Sequence, residues 1–142
     1  MSFKEGDLVY LAGPMSGIEK FNFPAFFEFQ ALLENNGLKV VSPAQHDIEE
    51  GVDINHPEQQ TQGFREKMLA WDFGQIVGPV VGVVLLPGWR TSVGARAECM
   101  LAQMIGKPAM EFVIDSNGTV RGLASVEAVH TYAGDGAGPR PS

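Results

Sequence analysis

The stretch VVGVVLLPGWRTSVGARAECMLAQMIGKPAMEFVI, from Val80 to Ile114, decides the fold class. It starts with an apolar run, passes through a turn rich in glycine and serine, continues with apolar residues at helical spacing and ends in a second apolar run. A strand, a helix and a strand in this order, with strands that are apolar on both faces, are typical of a parallel sheet covered by helices. The run VVGVVLL is far shorter than the ~20 residues that a membrane helix requires, so no membrane partner is expected.

The same alternation extends toward the start of the chain. LVYLA, residues 8–12, predicts a buried strand that a Gly-Pro pair stops. A helix with Pro24 in its first turn should follow and end at Gly37, and LKVVS predicts the second strand. Residues 42–60 are polar and show no clear period, so they predict a long loop, whereas residues 62–76 predict another helix.

Beyond the opening stretch, the pair Asn117-Gly118 predicts a hairpin whose return strand, Thr119 to Leu123, forms an antiparallel edge. The predicted class is therefore α/β: a flavodoxin-like or Rossmann-like three-layer sandwich with a mainly parallel sheet and an antiparallel C-terminal edge strand. Residues 1–130 are expected to form a single domain. Residues 131–142 are rich in glycine and proline and predict a disordered tail.

Composition excludes several classes of function. A net charge of −7 and a pI near 4.8 argue against a nucleic-acid partner, because such proteins usually carry a basic stripe. A single cysteine, Cys99, excludes an intramolecular disulfide, and the polar start of the chain lacks the apolar core of a signal peptide, so a cytoplasmic location is expected. The three histidines, His46, His56 and His130, lack metal-ligand spacing, so no metal is predicted.

The turn before the third predicted helix is a candidate anion site. In open parallel sheets ligands bind beyond the carboxyl ends of the strands, and this turn holds Gly88, Ser92 and Gly94 at such a place. Unpaired backbone N–H groups and the helix dipole favour an anion such as phosphate there, and serine adds a hydroxyl donor. The alternative is that these are ordinary turn and capping residues.

Glu98 is a candidate functional carboxylate. It shares a face of the predicted helix with apolar residues at spacings of three, four and seven: Leu101, Ala102 and Ile105. An acid on an apolar stripe is costly unless it is paired or used in chemistry. The alternative is a carboxylate that complements the helix dipole or pairs with Arg90 or Arg96.

Asp72 repeats this pattern, and Tyr10 adds a polar group to the first strand. Asp72 lies on or beside a stripe formed by Met68, Leu69 and Ile76. Its alternative reading is a partly buried ion pair with Arg65. The Tyr10 hydroxyl needs a partner if it is buried, and its alternative is a core tyrosine bonded to the backbone.

The stretches VYLAGPMSG, LLPGW and SVGARAE, together with Asp72, resemble the nucleoside 2-deoxyribosyltransferase family and its nucleotide N-hydrolase relatives over about residues 8–110. The likeness is greatest to a small branch often encoded by phages. The resemblance implies that Glu98 attacks the anomeric carbon of a deoxyribose and forms a covalent glycosyl-enzyme. It further implies that Tyr10 orients Glu98, that Asp72 helps to protonate the departing base, and that no cofactor is required. This is the two-carboxylate chemistry of retaining glycosidases.

Ser92 departs from the classical transferases of that family, which carry an aspartate there to hold the 5′-hydroxyl of a nucleoside. Serine can donate to a 5′-phosphate that a carboxylate would repel, and the family members that hydrolyse nucleoside 5′-monophosphates are similar to this sequence in having serine there. The resemblance therefore implies hydrolysis of deoxynucleoside 5′-monophosphates. The alternatives are base exchange between nucleosides and a binding or sequestering module without turnover. The expected substrate-binding residues are Gly13, Ser16, Gly17, Asn22, Phe23, Gly88, Trp89, Ser92 and Gly94. Of the aromatic residues before the first helix, Phe21 and Phe23 could flank a planar ligand.

A homodimer or larger homo-oligomer is also expected. The resemblance implies a neighbouring subunit that helps to close the pocket. The second long helix has Trp71 and Phe73 on opposite sides of its apolar stripe, which is more apolar surface than one core face needs.

Overall fold

The computed structural model describes residues 3–56 and 61–127, so His130 and the predicted tail lie outside the described residues. The elements follow in the order β1 (Leu8–Ala12), a 3-10 turn (Glu19–Asn22), α1 (Phe23–Asn35), β2 (Lys39–Val41), α2 (Pro43–Glu49), α3 (Gln62–Val77), β3 (Gly82–Leu85), a 3-10 turn (Trp89–Thr91), α4 (Val93–Met104), β4 (Ala109–Ile114) and β5 (Val120–Ser125). No helix in these two ranges is long and apolar enough to cross a membrane.

The five strands form one sheet in the order β2-β1-β3-β4-β5. β1 pairs in parallel with both β2 and β3, β3 pairs in parallel with β4, and β5 is antiparallel to β4. The predicted α/β class, with a mainly parallel sheet and an antiparallel C-terminal edge strand, is confirmed. The sheet has the flavodoxin-like strand order, in which successive strands are added on one side of β1 and then, from β3 onward, on the other side.

Alternate residues of the strands enter two cores, one on each face of the sheet. Val9 and Leu11 pack with α1 and α2, whereas Tyr10 and Ala12 pack with α3 and α4. The sheet is therefore the middle of three layers, and its central strands are apolar on both faces because both faces are covered. This alternation directs the Tyr10 side chain toward α4.

The predicted loop at residues 42–60 is wrong in its first half, where the structure has helix α2. Ser42 caps this helix by accepting a hydrogen bond from the Gln45 backbone N–H at 3.4 Å, and Pro43 stands at its first position. Serine followed by proline is a favourable helix start, and a helix of seven residues is too short to show a clear apolar period. The remaining helices and strands begin and end close to their predicted bounds.

Gly13 allows the carboxyl ends of β1 and β3 to approach closely. A Cβ atom at this position would lie 2.6 Å from the Leu86 side chain, so a larger residue would force the turn after β1 away from β3. Because β1 and β3 flank the point where the strand order reverses, a crevice opens there. The site described next occupies that crevice.

Candidate active site

A buried hydrogen bond between Tyr10 and Glu98 lies at the centre of the site. The Tyr10 hydroxyl donates to Glu98 Oε2 at 2.8 Å, Tyr10 is fully buried and Glu98 is only 7% exposed. The two residues are 88 positions apart in sequence and meet because β1 faces α4. The Tyr10 hydroxyl is therefore bonded to a carboxylate and not to the backbone, so the alternative of a core tyrosine bonded to the backbone is wrong.

Glu98 points inward because the buried stripe of α4 is narrow and made of small residues. Ala95, Cys99 and Ala102 share that stripe with Glu98, so the helix packs close to the sheet. The predicted inward orientation of Glu98 is confirmed. The prediction that Ile105 shares the stripe is wrong: the helix ends at Met104, and Ile105 is 42% exposed at its C-cap.

The proposed ionic partners of Glu98 lie elsewhere. Arg90 binds both carboxylate oxygens of Glu111 at 2.7 and 3.1 Å, and its guanidinium lies 4.5 Å from the centre of the Trp89 ring. Arg96 is on the exposed side of α4. Within the described residues, Glu98 therefore has a phenol as its hydrogen-bond partner and no ion pair.

Asp72 of α3 lies beside this pair with an unsatisfied oxygen. Its Oδ1 is buried without a hydrogen-bond partner, and no ion pair joins it to Arg65 in the described part of the chain. Met68 and Ile76 are buried as expected, but Leu69 is 49% exposed because it faces a cavity rather than the core. Asp72 therefore directs an unpaired carboxyl oxygen into the site.

Burial and the charge of a neighbouring carboxylate raise the pKa of both carboxyls. Desolvation, and then the charge of Asp72, raises the pKa of Glu98 to about 8. Desolvation, and then the charge of Asp47, raises the pKa of Asp72 to about 7. The Tyr10 hydroxyl opposes both shifts, and its own pKa is raised by burial and by Glu98. Near neutral pH the pair Glu98 and Asp72 therefore holds about one proton, which supplies one acid and one base.

These acids lie at one end of a cavity of about 620 Å³, here called the main cavity. Its floor holds Tyr10, Asp72 and Glu98, and its wall is the first turn of α4. Ser92 caps α4 by accepting a hydrogen bond from the Ala95 backbone N–H at 3.1 Å, so the serine hydroxyl keeps its own proton for donation. Arg65 is the cationic side chain that lines the cavity.

The structure brings together some of the predicted substrate-binding residues and separates others. Four of them line the main cavity: Gly13, Ser16, Ser92 and Gly94. Five do not: Gly17, Asn22, Phe23, Gly88 and Trp89. Asn22 instead donates to the Pro14 carbonyl at 3.0 Å, Phe23 is buried in the core under α1, and the Trp89 indole donates to Glu111 at 3.0 Å.

Sequence reasoning missed Asp47, which lines a second cavity of about 140 Å³, here called the side cavity. The Asp47 Oδ1 atom is buried without a hydrogen-bond partner, and desolvation, followed by the charge of Glu50, raises the pKa of Asp47 to about 6. The signal that could have found it is the start of α2 at Ser42 and Pro43, from which Ala44 and Asp47 face inward together. No group of three possible metal ligands occurs among residues 3–56 and 61–127.

The raised pKa values predict that the site destabilises the fold at alkaline pH. Free carboxyls have a pKa near 4, so the folded chain keeps protons that the unfolded chain loses, and stability should fall as pH rises from about 4 to about 8. Glu98→Gln should therefore raise the melting temperature by several degrees at about pH 8.5 and have little effect at about pH 4. Thermal unfolding at both pH values, with Glu34→Gln on the exposed side of α1 as the control, measures this. An equal effect of Glu98→Gln at both pH values would contradict it.

One family comparison covers this site. A family model described as a domain of unknown function (DUF4406) matches residues 7–111, a span that holds β1 to α4 and all residues of both cavities. No curated protein matches the chain.

Proposed function

The chain belongs to the DUF4406 family, and we propose that it cleaves the N-glycosidic bond of 2′-deoxynucleoside 5′-monophosphates. The products are the free base and deoxyribose 5-phosphate, and the intermediate is a glycosyl ester of Glu98. The observation that carries this proposal is the buried Tyr10–Glu98 hydrogen bond with Asp72, whose Oδ1 atom has no hydrogen-bond partner, in the same cavity. The resemblance of the sequence to nucleoside 2-deoxyribosyltransferases supports the same assignment.

The proposed reaction uses the two carboxyls in opposite states. The Glu98 carboxylate attacks the anomeric carbon while the bond to the base breaks, and Asp72 gives its proton to the departing base. Water then attacks the anomeric carbon, the ester bond to Glu98 breaks, and the proton of that water returns to the carboxyl pair. Burial leaves the pKa of Glu98 above that of Asp72, so the reactive form is the one in which the shared proton has moved to Asp72. The hydrogen bond that Tyr10 donates to Glu98 stabilises the charged nucleophile in that form.

The first turn of α4 is the proposed phosphate subsite. Backbone N–H groups at the start of a helix and the positive end of its dipole attract anions, and the Ser92 hydroxyl retains a proton to donate. Arg65, which also lines the main cavity, supplies a positive charge. The acidic surface of the chain makes such local groups necessary for an anionic substrate.

The test is chromatography of a panel of deoxynucleotides and deoxynucleosides after incubation with the protein, with and without an added acceptor base. Free base without an acceptor supports hydrolysis. Base release that requires an acceptor base would show that the chain is a transferase and not a hydrolase. Binding without any base release would replace it by a sequestering module.

We also propose that a second copy of the chain covers the mouth of the main cavity. Three apolar side chains stand at this mouth and are largely exposed in the single chain, namely Ile18, Leu69 and Val93, the last being 80% exposed. Trp71 contributes less than expected, because its ring stacks on His46 at 3.6 Å. Light scattering should give at least twice the 15.3 kDa mass of one chain, and Val93→Lys should lower it. A monomer at assay concentration would contradict this.

A further inference from the structure

The side cavity continues the main cavity behind Asp72. Both cavities are lined by the same five residues, Met15, Ser16, Arg65, Leu69 and Asp72. Glu98 lines only the main cavity, and Asp47 lines only the side cavity. Asp72 therefore stands between the nucleophilic carboxylate proposed above and a third carboxyl.

The charges of all three acids act on the groups at the centre of the site. The pKa of Tyr10 is raised by the charges of all three, most by Glu98, then by Asp72 and least by Asp47. The pKa of Asp72 is raised by the charge of Asp47. The three carboxyls therefore belong to one electrostatic cluster around Tyr10 and Asp72.

A strained turn directs an aromatic ring into the side cavity. Lys20, Phe21 and Asn22 are three consecutive residues with positive φ, between 54° and 60°. Residues other than glycine and asparagine rarely adopt this left-handed conformation. Phe21 lines the side cavity as a result, together with Phe64 and Met68. The cavity thus combines apolar walls with the side chain of Asp47, whose Oδ1 atom has no hydrogen-bond partner.

We propose that the side cavity is the selective end of the base subsite and that Asp47 accepts a hydrogen bond from an exocyclic amine of the base. The inference rests on the proposed function and names its substrate class: deoxynucleotides whose base carries an amine on the edge far from the glycosidic bond. In this placement the anomeric carbon lies at Glu98 in the main cavity, the departing nitrogen at Asp72, which lines both cavities, and the far edge at Asp47 in the side cavity. The faces of the base then lie against Phe21 and the other apolar side chains of the side cavity, Phe64 and Met68.

The charge of Asp47 explains the preference. With a pKa of about 6 its carboxyl is ionised at neutral pH and can only accept hydrogen bonds. An amine satisfies the buried oxygen. A carbonyl at the same position of the base would bring a second acceptor against it and leave both groups unpaired, which a buried polar site rejects strongly.

The experiment compares matched pairs of substrates. The amine-bearing dCMP and dAMP should exceed their oxo analogues dUMP and dIMP in kcat/KM by about a hundredfold or more. Asp47→Asn, whose amide can also donate, should reduce each ratio to less than about tenfold while keeping the shape of the side chain. Glu49→Gln, an exposed residue of the same helix, is the matched control and should keep the wild-type ratios. Equal rates within each pair for the wild type, or unchanged ratios for Asp47→Asn, would overturn the inference.

A binding measurement separates this inference from the proposed function. Dissociation constants of the four nucleotides are measured by calorimetry for Glu98→Gln, with and without Asp47→Asn. Tighter binding of dCMP and dAMP than of dUMP and dIMP, lost on Asp47→Asn, supports the inference even if the wild-type chain cleaves none of them and the proposed function fails. Base release from all four nucleotides with no amine preference in binding or rate would leave the function standing and remove the role of Asp47.

Discussion

Glu98→Gln should reduce base release by at least about ten-thousandfold, because the amide cannot form the glycosyl ester that divides the reaction into two steps. The amide keeps the size of the side chain and can still accept the hydrogen bond from Tyr10, so the buried contact at 2.8 Å is retained. Initial rates of base release from a deoxynucleotide measure the loss.

Two further variants make this result specific. Glu49→Gln changes the same functional group at an exposed position of α2 and should keep full activity. Tyr10→Phe should reduce the rate of base release only about ten- to a hundredfold, because it removes an orienting hydrogen bond and leaves the nucleophile in place. A folded Glu98→Gln protein that releases base at the wild-type rate would exclude Glu98 as the nucleophile.

The wild-type chain should prefer a deoxynucleoside monophosphate to the matching nucleoside by about a hundredfold or more, since several charge-assisted hydrogen bonds hold the phosphate. Ser92→Asp should erase or invert this preference, because it places a negative charge beside the phosphate and an acceptor beside a 5′-hydroxyl. Aspartate is as good a helix cap as serine, so α4 should remain intact. The measurement is kcat/KM for both substrates.

The controls separate charge at the site from charge in general. Ser92→Ala should only weaken the preference, because the backbone N–H groups of α4 remain. Ser116→Asp adds the same charge in the exposed turn between β4 and β5 and should leave the preference for the nucleotide unchanged. If kcat/KM of the wild-type chain is the same for the nucleoside and the nucleotide, the phosphate subsite is refuted and base exchange between nucleosides becomes the favoured function.

The sequence was sufficient to predict the layers of the fold because its strongest signals are local. The apolar runs of β1 and β3, the helix stop at Gly37 and the turn at Gly118 each act within a few residues of the chain, and all four are found where predicted. The helix α2 was missed because a helix of seven residues, Pro43–Glu49, is stabilised by packing on α1 more than by its own pattern.

The site was predictable only in part, because its partners are distant in sequence. The apolar stripe around Glu98 indicates that the carboxylate faces inward, but only the parallel pairing of β1 and β3 brings it to Tyr10. Trp89 belongs to the stretch LLPGW that carries the family resemblance, and it is expected in the substrate site for that reason. The 3-10 turn that follows β3 rotates it toward Glu111 on β4 instead. Asp47 reaches the site through a helix that was read as a loop.

The covalent intermediate on Glu98 is tested most directly by mass spectrometry of the intact protein after incubation with a slowly reacting 2-fluoro analogue of the deoxynucleotide. Fluorine at this position slows both steps by destabilising positive charge at the anomeric carbon, so the intermediate should accumulate. We expect one added glycosyl phosphate per chain, located by digestion on the peptide that contains Glu98. An adduct on a different peptide, or full base release with no adduct at any time, would contradict a glycosyl-Glu98 intermediate.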